Sequence, residues 1–566
     1  MRLNSDQAAS VAHDGHLLVV ACPGSGKTRV LVERAARLRR DFPTDPILIA
    51  TFTRQAANEV RERLTATLPS LADMRVATFH SFALQQLLSA GTLRLCSPAD
   101  QTALMRRAWL EVCTSCSLTS FFQAVEALTS GASDGLTEVE LAAAYDRYLE
   151  LLLQHSAIDF SQAILRSVSG MASGSLAPLP CRHILVDEVQ DIDSTQLQWL
   201  HAHIEAGATL TSVGDDDQAI YGWRHSLGFE GMSLICRRYR AEIITLSTNY
   251  RSHREILSWA DRLIAHNEHR IPKSLTSSRG PGGAVYLHDQ CWTDLEEAQL
   301  VARYAEEARD GFAVIARTNL KLDAVASELT HRQIPFTRHG QGSFWESEDP
   351  SLFLALLSPS GLSDPLTMSA LTMRVGKVPG GREPGQIRKL RRELAALIRD
   401  PDPTDAINMV ADFLHIHNAG LNPNRIEGAD RAVDACRLSL LKMSGPLRER
   451  IAKAKRPPRT RAERVVLLTM HASKGLEFPT VWIIGCEAST LPHPKCPDIE
   501  EERRLMYVAM TRAERALHIS FPRRKLRTRK TKRQAQETYL QRLDPSPFLS
   551  NDLGIEVAPM ESGPAF

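Results

Sequence analysis

The chemistry of this chain is concentrated first in two short stretches. One is Ala21-Cys22-Pro23-Gly24-Ser25-Gly26-Lys27-Thr28, preceded by an apolar run from His16 to Ala21 and followed, from Arg29, by a helical pattern. Small residues let successive backbone N–H groups curl around an anion, and a helix start turns its positive dipole end toward the same anion. This is a Walker A pattern with Ala21 in the first glycine position. Lys27 would reach the β- and γ-phosphates of a nucleotide, and the Thr28 hydroxyl would bind Mg²⁺. The other stretch is His183-Ile184-Leu185-Val186-Asp187-Glu188, an apolar strand ending in two carboxylates. Asp187 is placed to hold Mg²⁺, directly or through water, and Glu188 is the candidate base for an attacking water. An acidic pair at a strand end is common, and it gains meaning from the phosphate loop in the same chain. Together the two predict nucleotide hydrolysis without saying what the hydrolysis drives.

Buried strands must position these residues. Short runs rich in Val, Ile and Leu occur at His16 to Ala21, Ile47 to Phe52, Ile184 to Glu188, Leu210 to Gly214 and Ile243 to Leu246. Others occur at Ala313 to Ala316, Val465 to Met470 and Val481 to Gly485. Helical patterns between them predict parallel sheets in α/β layers. Residues 90–176 and 358–458 are mainly helical instead, as in Leu104 to Val112 and Val139 to Leu153, with breaks at Pro359, Pro379-Gly380-Gly381 and Pro384-Gly385. The expected fold class is therefore α/β, with two cores each interrupted by a helical insertion. The boundaries are 1–89, 90–176 (insertion), 177–247, 248–357, 358–458 (insertion) and 459–566.

Composition bounds the function. A chain of 566 residues holds about three to five domains. Hydrophobic residues make up 43% and charged residues 24%, an ordinary globular balance. No apolar run approaches the ~20 residues that cross a bilayer, and the N-terminus shows no signal-peptide core, so a cytoplasmic protein without membrane partners is expected. The net charge of +2 excludes nucleic-acid binding by bulk charge alone but leaves room for local basic tracks. Ten cysteines are too few for a disulfide scaffold, and Cys113 with Cys116 reads as two ordinary cysteines on a helix, since no second such pair exists to complete a metal site.

Eight stretches then follow in one order, and with them the chain resembles the UvrD/Rep family of superfamily 1 DNA helicases over nearly its whole length. Leu3-Asn4 with Gln7 resembles the family's adenine-reading motif. Thr51 to Ala57 resembles motif Ia, Thr78-Phe79-His80-Ser81 motif Ib, and Asp187 to Asp191 motif II. Val213 to Arg224 is similar to motif III, Asn249-Tyr250-Arg251-Ser252 to motif IV, Thr469 to Phe478 to motif V, and Glu500 to Ala513 to motif VI. The resemblance implies two RecA-like P-loop cores with ATP between them. One core would supply Lys27, Thr28, Asp187 and Glu188, and the other Arg251 and Arg512 as cationic fingers on the γ-phosphate. Gln218 would sense that phosphate. Tyr250 would stack on adenine, with Gln7 and Arg29 nearby, Glu477 would meet the ribose, and Gly475 would also bind the nucleotide. Taken alone, Arg251 reads as a surface ion-pair partner and Tyr250 as core; within Asn249-Tyr250-Arg251-Ser252 the functional readings prevail.

Tracking a single strand needs aromatic platforms and phosphate donors. The resemblance assigns stacking to Phe52, Tyr221 and Trp223, and strand contacts to Thr78, His80, Arg224, His471 and His493. An isolated Trp or Phe is more often core, but Trp223 lies close to Gln218 and would couple nucleotide state to stacking. Arg374, Lys377, Arg382, Arg388, Lys389, Arg391, Arg392 and Arg399 form a basic stretch suited to duplex phosphates or to a solvated helix face. The densest basic run, Arg523 to Arg533, is expected in a surface loop. Motif Ia departs from the family with Arg54 and Gln55, both insertions are short, and Pro379-Gly380-Gly381 only loosely echoes a family loop.

These readings predict an ATP- and Mg²⁺-dependent 3′→5′ DNA helicase acting on single-stranded DNA and on junctions of single and double strands. It would work as a monomer or DNA-induced dimer, with repair, replication or nuclease partners. The alternatives are a translocase that strips proteins or powers a nuclease, and an ATP-switched DNA-binding protein without unwinding.

Overall fold

The structure, a computed structural model, describes residues 2–91, 94–96, 98–113, 115–129, 139–308, 311–339, 345, 348–358, 367–368, 371, 374–375, 384–398, 400–418, 423–455, 465–530 and 536–556. The chain divides into two compact units, one of Met1–Arg251 with Asn267–Arg279 and one of Ser252–His266 with Gly280–Phe566.

The first unit is built on a six-stranded sheet, parallel throughout. Its strands are β1 (Leu17–Ala21), β2 (Ile47–Thr51), β3 (Met74–Thr78), β4 (His183–Val186), β5 (Thr209–Gly214) and β6 (Glu242–Leu246), in the order β3-β2-β4-β5-β1-β6. All five residues of β1 are buried because both faces of the sheet are covered. Leu17, Val19 and Ala21 join one apolar cluster with Val30, Leu31 and Leu38 of a helix, Lys27–Asp41. Leu18 and Val20 point the other way, into a cluster with Phe79, Phe82 and Trp199. Two-sided burial explains why these strands read as continuous apolar runs.

A parallel sheet gathers the C-terminal ends of its strands along one edge, where ligands of open α/β sheets bind. The motifs of the first unit all follow such ends. The loop 22–26 follows β1, Phe52 follows β2, His80 follows β3, Asp187-Glu188 follows β4, Asp215 to Gln218 follows β5 and Asn249 to Arg251 follows β6.

The second unit has its own six-stranded parallel sheet. Its strands are β7 (Ala284–His288), β8 (Phe312–Ala316), β9 (Phe336–Arg338), β10 (Val465–Thr469), β11 (Phe478–Ile484) and β12 (Ala513–Ser520), ordered β7-β12-β11-β8-β10-β9. Central β8 is wholly buried. The protein thus has two RecA-like α/β cores. Helices lie within each sequence: Pro98–Val112, Leu118–Thr129, Val139–Gln154 and Phe160–Ala172 in the first unit, and Gly385–Leu397, Thr404–Asn418, Pro423–Lys442 and Leu447–Lys455 in the second. The first three of the first set gather around Phe121, Tyr145, Tyr148 and Leu151, while Phe160–Ala172 puts Ile164 into the cluster of Phe79 and Trp199; the second set gathers around Leu390, Ile407, Leu414 and Cys436. Among the described residues, no helix is long and apolar enough to cross a membrane.

Three expectations are corrected. The run from Arg523 is not a loop: β13 (Arg524–Lys530) pairs antiparallel with β14 (Gln536–Arg542). The register runs from Arg524 opposite Arg542 to Lys530 opposite Gln536. Thr531 to Arg533 lie outside the described residues. Arg374 does not belong to a basic face, being buried, ion-paired to Asp349 and donating to Asn418 Oδ1 at 2.6 Å. Arg388, Lys389, Arg391 and Arg392 are exposed on their helix, whereas Pro359, Lys377, Pro379-Gly380-Gly381, Arg382 and Arg399 lie outside the described residues. Cys113 and Cys116 sit in the turn between two helices rather than on one, and their sulfurs lie within 4.8 Å of each other and of a Glu140 oxygen.

Candidate nucleotide and nucleic-acid site

The phosphate loop is shaped by backbone geometry. Gly24 and Gly26 have φ of +63° and +85°, a region that favours glycine. A Cβ on Gly24 would stand 2.7 Å from Arg251 Cβ and 3.1 Å from Asn249 Nδ2. Cys22 N–H donates to Leu246 O at the end of β6, and the Ser25 hydroxyl donates to Cys22 O at 2.7 Å. Cys22 is fully buried, and burial pushes its thiol up to about 12, so it acts as a small apolar wall. Gly26 is the N-cap of the helix Lys27–Asp41 and offers no side-chain cap, and no acidic residue occupies the first turn. The helix start is thus suited to an outside anion.

Gln7 binds this loop from the N-terminal helix Ser5–Ala12. Its Nε2 donates to Ser25 O at 2.9 Å, and it forms a capping box with Asn4. Asn4 Nδ2 in turn donates to the Tyr250 hydroxyl at 2.9 Å, and Tyr250 N–H donates to Gly24 O. The structure therefore brings Gln7, the loop and Tyr250 together. Asn249 Nδ2 donates to Pro23 O at 2.6 Å, and Asn249 Oδ1 accepts from Arg251 N–H at 2.8 Å. These bonds explain a difference from expectation: Arg251 falls within the first compact unit, not with the second.

The carboxylates of β4 complete the loop's surroundings. Lys27 Nζ lies 3.1 Å from Glu188 Oε2. Glu188 itself is left-handed, with φ +50°, a strained conformation for a residue with a side chain. Asp187 is buried, and burial followed by the charge of Glu188 pushes its carboxyl up to about 7. A buried carboxylate beside another carboxylate is an environment that a divalent cation would relieve. The Thr28 hydroxyl and Asp187 carboxylate are hard oxygen donors of the kind Mg²⁺ prefers.

Several residues here had no role from sequence alone. Gln190 Nε2 donates to Glu188 Oε2 at 2.5 Å, while Gln190 Oε1 accepts from Asp215 N–H at 2.9 Å. Gln218 Nε2 donates to Asp215 Oδ2. Asp215, Asp216 and Asp217 are all buried, and fully buried Lys273 Nζ sits 2.6, 2.6 and 3.0 Å from them. Arg270 grips Asp217 with two hydrogen bonds of 3.0 and 2.7 Å, and Ile271 N–H donates to Asp216 at 2.6 Å. Burial opposes the charge on Lys273, yet the three carboxylates outweigh it and raise its ammonium well above the usual range. The visible signal was three consecutive acids with no cation near them in sequence.

The candidate strand-contact residues are placed unequally. Trp223 is 56% exposed, with the Arg224 guanidinium 4.6 Å over its ring and Tyr221 6.4 Å away. Tyr221 is half-buried, and burial followed by the Asp191 charge pushes its phenol up to about 12. Phe52 is half-buried, 5.5 Å from Phe79, at the rim of the core. Thr78 is buried, capping the helix Phe79–Ala90 through its hydroxyl. The His80 ring stacks on Phe160 at 4.9 Å, and burial pushes it down to about 4, so it is neutral at pH 7.

The second unit carries the remaining candidates. Arg317, just after β8, holds fully buried Glu502 with bonds of 2.6–3.0 Å, and His493 N–H donates to the same carboxylate at 2.9 Å. His471 follows β10, and burial, then the Arg317 charge, pushes it down to about 4. Arg512 is 1% exposed, its Nε donating to Val508 O at 2.9 Å and an NH group to Leu476 O at 3.3 Å. Gly475 and Glu477 are exposed, and Gly475 has φ +85°. Arg317 was not singled out from sequence, where a lone Arg after a strand carries no signal.

Comparison with known proteins gives two family models. One, described as an AAA domain, matches residues 5–224, and one described as a UvrD-like helicase C-terminal domain matches 244–365 and 446–524. The chain is similar to DNA helicase II of Haemophilus influenzae, 29% identical over 92% of this chain and 84% of that one. It is similar to the ATP-dependent DNA helicase Rep of Escherichia coli, 27% identical over 97% and 94%. It is also similar to the ATP-dependent DNA helicase PcrA of Leuconostoc citreum, 25% identical over 92% and 81%.

Proposed function

The chain belongs to the UvrD/Rep family of superfamily 1 DNA helicases, and on that premise we propose that it is an ATP-dependent motor that moves 3′→5′ on single-stranded DNA and unwinds duplex. It is an ATP-dependent DNA helicase of this family. The observation that most supports coupled hydrolysis is the contiguous hydrogen-bond path from Lys27 through Glu188 and Gln190 to Asp215 and Gln218. It joins the phosphate loop, the candidate base and the candidate sensor in one network.

In this reading the loop N–H groups and Lys27 bind the triphosphate, and Glu188 orients and deprotonates the attacking water. Mg²⁺, which neutralises charge on the phosphates, would be held by Thr28 and Asp187. Tyr250 and Gln7 form the adenine side, with Arg29, and Gly475 and Glu477 are the second unit's nucleotide candidates. Arg251 and Arg512 are the cations for charge that develops on the γ-phosphate. Trp223, Tyr221 and Phe52 supply stacking platforms, with Thr78, His80, Arg224, His471 and His493 as further strand contacts. A cytoplasmic role in repair or replication on strand junctions follows the same reading.

A strand-displacement assay tests it. Duplex with a 3′ tail should be unwound in the presence of ATP, and duplex with only a 5′ tail should not. Translocation without displacement would favour a translocase that strips proteins or powers a nuclease. Turnover that does not rise on adding single-stranded DNA would favour an ATP switch.

A further inference from the structure

Three carboxylates in succession, all buried, form an unusual arrangement. Asp215, Asp216 and Asp217 repel one another, and each loses water on burial. The fold neutralises them with cations from one distant segment, Asn267–Arg279, which returns to the first unit after the chain has contributed a helix, Arg254–Ile264, to the second. Lys273 Nζ reaches all three within 3.0 Å, and Arg270 takes both oxygens of Asp217. The neutralisation is uneven: Arg270 serves Asp217, so Asp215 and Asp216 depend on Lys273, and Asp215 also accepts from Gln218 Nε2. The Asp215 backbone N–H is fixed by Gln190, whose other end holds Glu188. Tyr221 and Trp223 follow Gln218 by three and five residues.

We propose that Lys273 is a positioning residue for hydrolysis: by holding Asp215 through Asp217 together, it fixes the Gln218 amide for the γ-phosphate and keeps the Tyr221–Arg224 segment in step with it. This rests on the reading of Gln218 as a γ-phosphate contact. A primary ammonium suits the task, because three donors on one compact charge can serve three separate carboxylates. Removing it takes away the cation 2.6 Å from Asp215 Oδ1, which steadies the carboxylate that accepts from Gln218.

The alternative is a purely structural staple, and a double-mutant cycle on turnover separates the two. The first variant is Lys273→Met combined with Asp216→Asn, which removes one cation and one anion and so preserves the net charge of the cluster. Steady-state hydrolysis by the full chain is measured at saturating single-stranded DNA, with circular dichroism as a check on folding. The charge-balanced variant should lose at least tenfold in kcat, with the KM for ATP within threefold of wild type. Gln218→Ala should lose a similar factor, and the combination should lose little more than either alone. Multiplying losses, or an unchanged kcat in a folded variant, would overturn the proposal. Arg270→Gln, nearer the surface, carries the same cycle where the first variant does not fold. Lys27→Ala run in parallel distinguishes the failures. Retained turnover there would sink the site reading, whereas abolished turnover with ordinary Lys273 variants would sink only the positioning role.

Discussion

Trp223 is large, apolar and 56% exposed, next to a guanidinium that covers one side of its ring. A core tryptophan would be buried, so the exposed ring is better explained as a platform for a flat partner. Trp223→Ala should weaken binding of single-stranded DNA by about 1–3 kcal/mol. It should also reduce DNA-stimulated turnover more than DNA-independent turnover. Equal stimulation in the two proteins, measured by steady-state hydrolysis with and without oligonucleotide, would refute the assignment. His203 offers a different test. It is 1% exposed, accepts from Leu179 N–H at Nε2 and has Nδ1 2.8 Å from Trp199 O, so both nitrogens are committed to the neutral ring. Burial pushes it down from 6.5 to about 4. Between those values the unfolded chain binds the extra proton and the folded one does not. Its contribution is therefore complete above pH 6.5 and is lost as pH falls toward 4, by about 2 kcal/mol at pH 5. His203→Leu should be less stable than wild type at pH 7.5, with the gap narrowing at pH 5, as read by urea unfolding. A gap independent of pH would show that the ring titrates normally. At this scale, consecutive motifs were legible because the loop, Asp187 and Glu188 declare themselves within a few residues. Lys273, Arg270 and Arg317 were not, because their partners lie 53 to 185 residues away and no local pattern marks such pairings.

The elements follow the same logic. Strands buried on both faces, such as β1, β2 and β8, were readable as apolar runs. Strand β3 was not, since Met74-Arg75-Val76-Ala77-Thr78 alternates in burial at the sheet's edge. Strand β7, likewise at an edge, has Tyr286 49% exposed, and β12 opens on a polar Ala-Glu-Arg before its apolar end. The hairpin β13–β14 was missed because its charge suggested a loop, while its cross-strand register was invisible to composition. Packing between elements also yields a sharp expectation. Gly214 ends β5, and a Cβ there would stand 2.7 Å from both Gln190 Oε1 and Val189 Cγ1. Gly214→Ala should push Gln190 off Glu188 and Asp215, destabilising the protein by about 1–3 kcal/mol and lowering kcat at least tenfold. A variant with wild-type turnover would mean that the Gln190 bridge is dispensable.

At the scale of the whole molecule, the division into two α/β cores was legible from the order of motifs, and the path of the chain was not. The apolar runs and motif order place one passage between the cores near residue 248, just after a strand ends. Compactness instead follows hydrogen bonds: Asn249 and Tyr250 hold Arg251 to the phosphate loop, and Lys273 and Arg270 draw Asn267–Arg279 back to the buried acids. The chain passes between the units at 251/252, 266/267 and 279/280. Neither half is therefore a bead on a string: a protease that severs 251/252 breaks the chain, yet Asn267–Arg279, still joined at both ends to the second unit, keeps its non-covalent grip on the buried acids of the first through Lys273 and Arg270.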